Sequence, residues 1–392
     1  MIFGPSCTPN KAPAAPRQLL VLGPPGTRRM ELLLAAARAA GWDDLHALGY
    51  PEAIGMAPPP SIRWPPRPLP STLVRLDSPQ DDLPTTRCIL KLGITPAEAA
   101  GHTPLLAADI ERFVPARGEL VHPLQWFLGL RALLEKLACQ WEGCVSWMSH
   151  PRAVALLFDK AACRQHWAAA GLPVPHSPAS PRGYAELREQ VPARHARLFV
   201  KLRYGYAAAG AMALEWYAGR VRAITTLETA CEDGRMRLFV SRRPRVVYQE
   251  GEVARLVDLL ARHEIVVEEW LPKARWQGRP FDVRAVLVRG RLRHVVGRAA
   301  ASPFTNLNLG ARRIAGDLLM RHLRDWESFV WLVEAAAACF PEAGTLGLDV
   351  LVRPCRRRMV LLEANAFGDY LPGLLHAGMT TYEAAFRAWR DA

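Results

Sequence analysis

Residues 345–373, TLGLDVLVRPCRRRMVLLEANAFGDYLPG, carry two carboxylates and an amide at spacings that can hold a cation. Two apolar runs flank PCRRR, which is the pattern of a β-hairpin. With the turn centred on Arg356, Arg353 pairs with Met359, Leu351 with Leu361 and Asp349 with Glu363. Asn365 shares the face of Glu363 because a strand has a period of two. Directly opposed side chains have Cβ atoms roughly 5 Å apart. Like charges that close raise one another's pKa unless a cation lies between them. Donors that are all oxygen suit Mg2+ or Mn2+ and not zinc. Arginines that neutralise both acids satisfy the same spacing equally well, so the pattern alone leaves two readings.

A second stretch, LLVLGPPGTRRM at 19–30, begins as many phosphate-binding loops do. A working loop of that kind needs Gly-Lys-Ser/Thr four residues after its first glycine. Counting from Gly23, Arg28 replaces the second glycine, Arg29 the lysine and Met30 the hydroxyl residue. A thioether is a poor partner for Mg2+. The stretch therefore predicts a first strand, a tight turn and a first helix at about 28–40, whose N-terminus is open to some other anion.

These residues need a scaffold. A length of 392 residues suggests two or three domains with ample core. Half of the residues are hydrophobic, so the chain is globular, yet no apolar run approaches a membrane span. The start, MIFGPSCTPNKAPAAPR, lacks the apolar stretch of a secretory signal and reads as a disordered tail over 1–16. Eight scattered cysteines show neither CxxC nor zinc-like spacing, which fits reduced thiols in a bacterial-type cytoplasm. His150 with His166, and His294 with His322, show no metal-ligand spacing either. The net charge of +13 comes mostly from dispersed arginine, since only six residues are lysine. No segment interleaves those charges with aromatics, so nucleic-acid binding is not expected, whereas anionic substrates are compatible.

Along the chain, 17–150 reads as a Rossmann-like α/β domain with a proline-rich loop at 56–70, a strand at 71–77 and a helix at 123–141. Residues 151–270 read as a second unit. It opens with one helix, PRAVALLFDKAACRQHWAAAGLPVP, ending at Gly171. Strands follow at 198–202, 211–217 and 221–227, then a helical stretch at about 250–262 and a buried strand at 265–271. Residues 271–392 form a third unit, with a hairpin over 281–300 turning at Arg289-Gly290, a helix at about 326–339, the acidic hairpin and a last helix at about 380–391.

An Asp on one strand followed by Glu-x-Asn on the next resembles the metal-binding end of the ATP-grasp superfamily, and other segments agree in order. The helix containing Lys160 resembles the first helix of an ATP-grasp domain, with Lys160 at the phosphate-contacting position. LFVKLRYGYAAAGAMAL resembles the strand bearing the second lysine, Lys201, and the phosphate loop after it, which spans Gly205 and Gly210. VVEEWLP resembles the hinge strand whose backbone reads adenine, implicating Glu268, Glu269, Trp270 and Leu271. FDVRAVLVRGRLRHVVGRAA is similar to the Asp-x-Arg strand and later arginine of RimK-like amino-acid ligases, matching Asp282, Arg284 and Arg298. SPFTNLNLGARR is similar to the loop before the metal strands, matching Asn306, Asn308 and Gly310. Leu202 stands where the family has proline, and Tyr206-Ala207-Ala208-Ala209 supplies fewer hydroxyls than usual. The whole looks closest to a bacterial ATP-grasp family with a Rossmann-like domain ahead of the catalytic one.

The resemblance implies an α/β fold, an α+β ATP-grasp domain behind a Rossmann-like domain. It implies an ATP-dependent carboxylate–amine or carboxylate–thiol ligase that works through an acyl phosphate. ATP and Mg2+ (or Mn2+) are the implied cofactors, with Asp349, Glu363 and Asn365 holding the metal and Lys160 and Lys201 the phosphates. Arg284 and Arg298 offer forks to the transferred group, beside Asn306. The expected partners are small-molecule or peptide carboxylates and amines, without nucleic acid or membrane, and a homodimer is compatible. A kinase-like phosphotransferase and an inactive nucleotide-binding module are the alternatives. On this reading the GPPGT loop is structural or belongs to an acceptor-substrate cleft.

Overall fold

The computed structural model describes residues 18–57, 71–80, 82–178, 180–191, 195–205, 208–232, 235–367 and 371–391. The expected tail at 1–16 and all but Met56 and Ala57 of the expected proline-rich loop lie outside them. Mixed α/β architecture is built on three main sheets.

The first sheet is parallel. Its strands β1 (Gln18–Leu22), β2 (Asp44–Leu48), β3 (Thr72–Leu76) and β4 (Val145–Trp147) run in the order β2-β1-β3-β4. β1 and β3 are buried throughout, as strands covered on both faces must be, which is why they read as continuous apolar runs. Thr27 of the GPPGT loop caps the helix Arg28–Ala39 by accepting from Met30 N–H. The strand order reverses between β1 and β3, the position where open α/β sheets bind ligands.

The second sheet is antiparallel and pairs β5 (His195–Leu202), β6 (Met212–Tyr217), β7 (Arg220–Glu232), β8 (Arg235–Val247) and β9 (Ile265–Glu269) in the order β8-β7-β6-β5-β9. Along β5, Leu198, Val200 and Leu202 enter a core closed by the helix Glu250–Ala261. The alternation leaves Phe199 and Lys201 on the opposite face.

The third sheet pairs β10 (Arg275–Trp276), β11 (Arg279–Val288), β12 (Arg291–Ala299), β13 (Arg312–Ile314), β14 (Thr345–Val352) and β15 (Met359–Asn365) in the order β13-β12-β11-β14-β15, with β10 beside β11. The β11–β12 turn falls at Arg289-Gly290 as expected, both residues at positive φ (51° and 74°), the signature of a tight hairpin turn. Phe281, Val283, Ala285 and Leu287 of β11 join the core beneath the sheet. Asp282 and Arg284, at the alternate positions, face away from it.

Three readings needed correction. The helix expected to run unbroken to Gly171 is two helices, Pro151–Phe158 and Lys160–Ala169. Asp159 leaves helical geometry (φ −85°, ψ 98°) and its carboxylate accepts from Ala161 and Ala162 N–H to cap the second helix. Strands β2 and β8 were not read, β8 because RMRLFVSRRPRVV mixes five arginines and a proline into its apolar pattern. The acidic hairpin pairs Val352 with Met359 and Val350 with Leu361, one step from the expected register. A bulge at Leu362 then restores the expected pairing of Asp349 with Glu363.

The chain returns to its start. The helix Thr381–Arg390 packs Tyr382, Ala385 and Phe386 against Leu33 and Val21, and Trp42 Nε1 donates to Phe386 O at 3.2 Å. A second junction joins the first unit to the edge of the second sheet. Leu120 N–H donates to Leu238 O and Val240 N–H to Gly118 O, each at 2.8 Å, while Arg237 Nε donates to Glu119 at 2.7 Å.

His263 lies in that junction with its ring 6.2 Å from that of His122. Burial pushes its pKa down to about 4, with His122, His102 and Arg262 adding to the effect. The unfolded chain takes up this proton near 6.5, before the folded chain does, so stability falls as pH drops from 6.5 toward 4. The full loss is on the order of 3 kcal/mol. Urea midpoints measured at pH 7.5 and 4.5 should lie closer together in His263→Gln than in the parent; an unchanged gap would refute the assignment.

Candidate active site

The charge-bearing face of the third sheet looks across a cleft at the open face of the second. Neighbouring strands set opposite charges side by side: Arg298 on β12 opposes Asp282 on β11, Arg284 opposes Asp349 on β14, and Asp349 opposes Glu363 on β15. Arg284 grips Asp349 with two bonds, Nε–Oδ1 at 2.5 Å and Nη2–Oδ2 at 3.1 Å. Arg298 bridges Asp282 (Nε–Oδ1, 2.9 Å) and Asp349 (Nη2–Oδ1, 3.0 Å). All four side chains are buried. Burial disfavours the Asp349 carboxylate, but Arg284 and Arg298 outweigh it and hold its pKa below the usual range. Asp282 behaves likewise under Arg298 and Lys273. Burial works against the Arg298 guanidinium, and the two aspartates more than compensate.

Two connected cavities open on this face. The larger, about 390 Å3, is walled by Lys160, Arg298, Asn306, Asp349, Glu363 and Asn365, among others. The smaller, about 90 Å3, lies between the sheets and is walled by Lys201, Glu268, Glu269, Leu271, Asp282 and Phe304, among others. Gly205, Arg298, Asn306, Asp349 and Glu363 face both. Lys160 reaches Glu363 at 3.1 Å and donates to Gly205 O. Lys201 pairs with Glu268 at 2.6 Å. Burial opposes its ammonium, but Glu268, Glu363 and Asp349 together raise its pKa.

Both readings of the acidic hairpin have a place in this geometry. Arginines do neutralise Asp349, whereas Glu363 is met by a lysine. Asn365 donates its amide to Gly347 O at 3.4 Å, and the residue lines the large cavity. The set of two carboxylates and an amide oxygen is all hard donor and fits Mg2+ or Mn2+.

Other expected residues sit elsewhere. Trp270 does not wall the slot; its ring takes the guanidinium of Arg197 at 4.0 Å and packs edge-on to Phe199. Gly210 (φ 69°) lies under Leu202 and Leu260, and Gly310 (φ 87°) ends the turn Leu307–Leu309, so both shape backbone and wall neither cavity. Asn308 faces the large cavity. Tyr206 and Ala207 lie outside the described residues. Arg29 of the GPPGT loop holds Asp77 with two bonds, 2.6 and 2.9 Å, and lines the large cavity together with Ser78 and Gln80.

Lys273 and Thr305 went unread. Lys273 is buried in the slot, 3.0 Å from Asp282 Oδ2 and 2.8 Å from Thr305 Oγ1, and Thr305 also donates to Asp282. Burial lowers its pKa despite Asp282. A signal was present: lysine is scarce here, and Lys160, Lys201 and Lys273, half of the chain's six lysines, converge on one site. Counting every charged residue that lines the two cavities, Arg29, Lys160, Lys201, Lys273, Arg284, Arg298 and Arg313 face Glu268, Glu269, Asp282, Asp349 and Glu363, a formal excess of two positive charges that favours an anionic ligand.

No family model matches the chain, and no curated protein matches it. Solved structures do. D-cycloserine synthetase DcsG is 13% identical over 94% of this chain and 99% of its own, with a TM-score of 0.53. The ATP-grasp ligase PsnB complexed with a minimal precursor is 14% identical over 95% of this chain and 98% of its own, with a TM-score of 0.50. The same ligase complexed with a phosphomimetic precursor variant, Mg and ADP is 15% identical over 95% and 97%, also at 0.50. The fold of the chain is therefore the ATP-grasp fold, with a parallel α/β sheet ahead of it.

Glu363→Gln keeps shape and removes one hard anionic donor, so nucleotide turnover should fall by orders of magnitude with an unchanged melting temperature; near-normal turnover would remove Glu363 from the site. Lys273→Met leaves Asp282 with one cation fewer and loosens Thr305 beside Asn306. It should lower kcat more than it raises the KM for ATP, with partial rescue by Lys273→Arg; an effect on melting alone would make Lys273 structural.

Proposed function

We propose that the chain is an ATP-dependent carboxylate–amine ligase of the RimK-like branch, acting on small-molecule or peptide acids through an acyl phosphate. The observation that carries this reading is the cationic excess around two buried carboxylates in a cleft between antiparallel sheets. Ligation by this route transfers the γ-phosphoryl of ATP to a carboxylate oxygen and releases ADP. The amine nitrogen then attacks the acyl carbon, the C–O bond breaks, and phosphate departs with that oxygen while the amine gives up a proton. Such chemistry depends on positioning and charge neutralisation.

In this reading the nucleotide base takes the slot beside Glu269 and Leu271, and Lys201 and Lys160 neutralise phosphate oxygens on the way to the large cavity. Asp349, Glu363 and Asn365 would hold Mg2+, which would supply stabilisation of phosphate charge when bound. Arg298, which faces both cavities, meets the transferred group. Arg284 has its fork committed to Asp349 and acts by orienting that carboxylate. Arg29, Ser78 and Gln80 form the acceptor-side wall, so the opening loop serves the second substrate and not ATP. PsnB, solved with a minimal precursor and with a phosphomimetic variant of it, is in keeping with a peptide or small acid as partner here.

With an ¹⁸O-labelled carboxylate substrate, the label should appear in inorganic phosphate, dependent on ATP and amine. Arg298→Ala should lower kcat more than it raises the KM for ATP, because its charge partner peaks in the transition state. Product formed with unlabelled phosphate would sink the ligase reading in favour of a kinase-like one.

A further inference from the structure

A third cavity of about 600 Å3 continues from the large one, sharing Gln80, Gly205 and Asn308 with it. One wall comes from the first unit, through Leu83, Thr86 and the segment 115–123; the other comes from the second sheet, through Tyr204, Val240 and Ser241. Segment Gly118–Leu120 is bonded to β8 at the back of this groove. At β8 the ladder to β7 is interrupted: Val240 pairs with Leu227 and Arg245 with Thr225, so Ser241–Pro244 arch out of register. The arch places Arg242, which is exposed, on the lip of the groove, and β8 meets the Leu307–Leu309 turn that carries Asn308.

We infer that this groove holds an extended, acidic, peptide-like substrate whose reacting carboxylate enters the large cavity and whose outer acidic group meets Arg242. The inference rests on the ligase reading of the large cavity and names its substrate class. Size is the first argument. Pockets of roughly 300–1,000 Å3 bury ligands of drug size, so a single amino acid leaves a 600 Å3 annex unfilled beside the 390 Å3 reaction cavity.

Wall chemistry is the second argument. Leu83, Val121 and Tyr204 share the lining of the groove with Gln80, Thr86 and Ser241. A hydrocarbon chain would cover those polar groups and return no hydrogen bonds, at a cost of about 1–3 kcal/mol for each one stranded. A peptide backbone offers a donor and an acceptor at every residue.

Charge is the third argument. Asp82 and Glu119 also line the groove, but Asp82 accepts from Thr85 N–H and Glu119 is held by Arg237. Asp82 keeps its charge at the helix start, and Arg242 is the cation among the described residues that line the groove, so an acidic group of the ligand meets it there.

The test is calorimetric titration of aspartate, Ala-Asp, Ala-Ala-Asp and Asp-Ala-Ala-Asp into the full chain loaded with Mg2+ and a non-hydrolysable ATP analogue. The expected result is a Kd that falls about tenfold or more from aspartate to the tetrapeptide. Arg242→Glu, and Ser241→Trp as a plug of the groove, should each erase most of that gain, with thermal melting reporting that the variants fold. A Kd independent of length, or a gain that survives both variants, would overturn the inference. ADP release assayed over acid–amine pairs separates the two levels. Length-dependent binding with no ADP from any pair would fell the ligase reading and leave the groove as a peptide site. ADP formed from aspartate as readily as from the tetrapeptide, with length-independent Kd, would fell the groove alone.

Discussion

Asp349 is a carboxylate that the fold has taken out of water and placed between two guanidinium groups. An isolated ion in that position would be prohibitively unfavourable, and a single partner rarely compensates for the lost hydration. Compensation here is spread over strands: Arg284 and Asp282 come from β11, Arg298 from β12 and Glu363 from β15, with Lys160 arriving from a helix. Each ion is satisfied only if the strand register is right. The charged face therefore specifies the alignment of four strands, while the apolar face beneath supplies the burial that makes the sheet stable.

The same arrangement explains how the site stays receptive. A cluster with equal numbers of each charge would be a closed salt lattice. Here Lys160 lines the larger cavity and Lys201 the slot, where their ammonium groups have carboxylate partners that a metal-bound polyphosphate can displace. Arginine cannot move as freely once both edges of its fork are engaged, and the two arginines sit at the interior of the row.

Much of this was legible in the sequence because strand alternation is strict. Asp282-x-Arg284, Glu363-x-Asn365 and Lys201 inside an apolar run each announce a charged residue on a chosen face. The hairpin register near its turn was not legible. Residues 354–357 close a loop one residue shorter than expected, with Arg353 N–H donating to Arg358 O at 2.8 Å and Arg356 at a φ of 59°, so the strands start one step off. The bulge at Leu362 repairs the offset, and only the acidic pair, not the turn, demanded that repair. β8 was illegible for the opposite reason: its arginines serve the solvent side and a neighbouring unit, and its arch breaks the alternation that would have revealed it. At Trp270 the sequence implied a role for the backbone of the hinge strand and said nothing of the side chain, whose ring takes the guanidinium of Arg197.

The break at Asp159 has a mechanical meaning. Arg203, the second residue after Lys201, closes a two-bonded clamp on Asp159 (2.8 and 2.7 Å), and its carbonyl accepts from Lys160 N–H at 3.2 Å. Lys160 and Lys201 belong to different packing layers, yet they are yoked through Lys201 and Leu202 at the end of β5, Arg203 in the turn after it, and the first turn of one helix. The helix that carries Lys160 also packs on β15 of the third sheet, so the clamp fixes the two ammonium groups relative to one another at the seam between the sheets. Their separation then works as a fixed gauge, and a bound phosphate chain is measured against it instead of being followed by two independent arms.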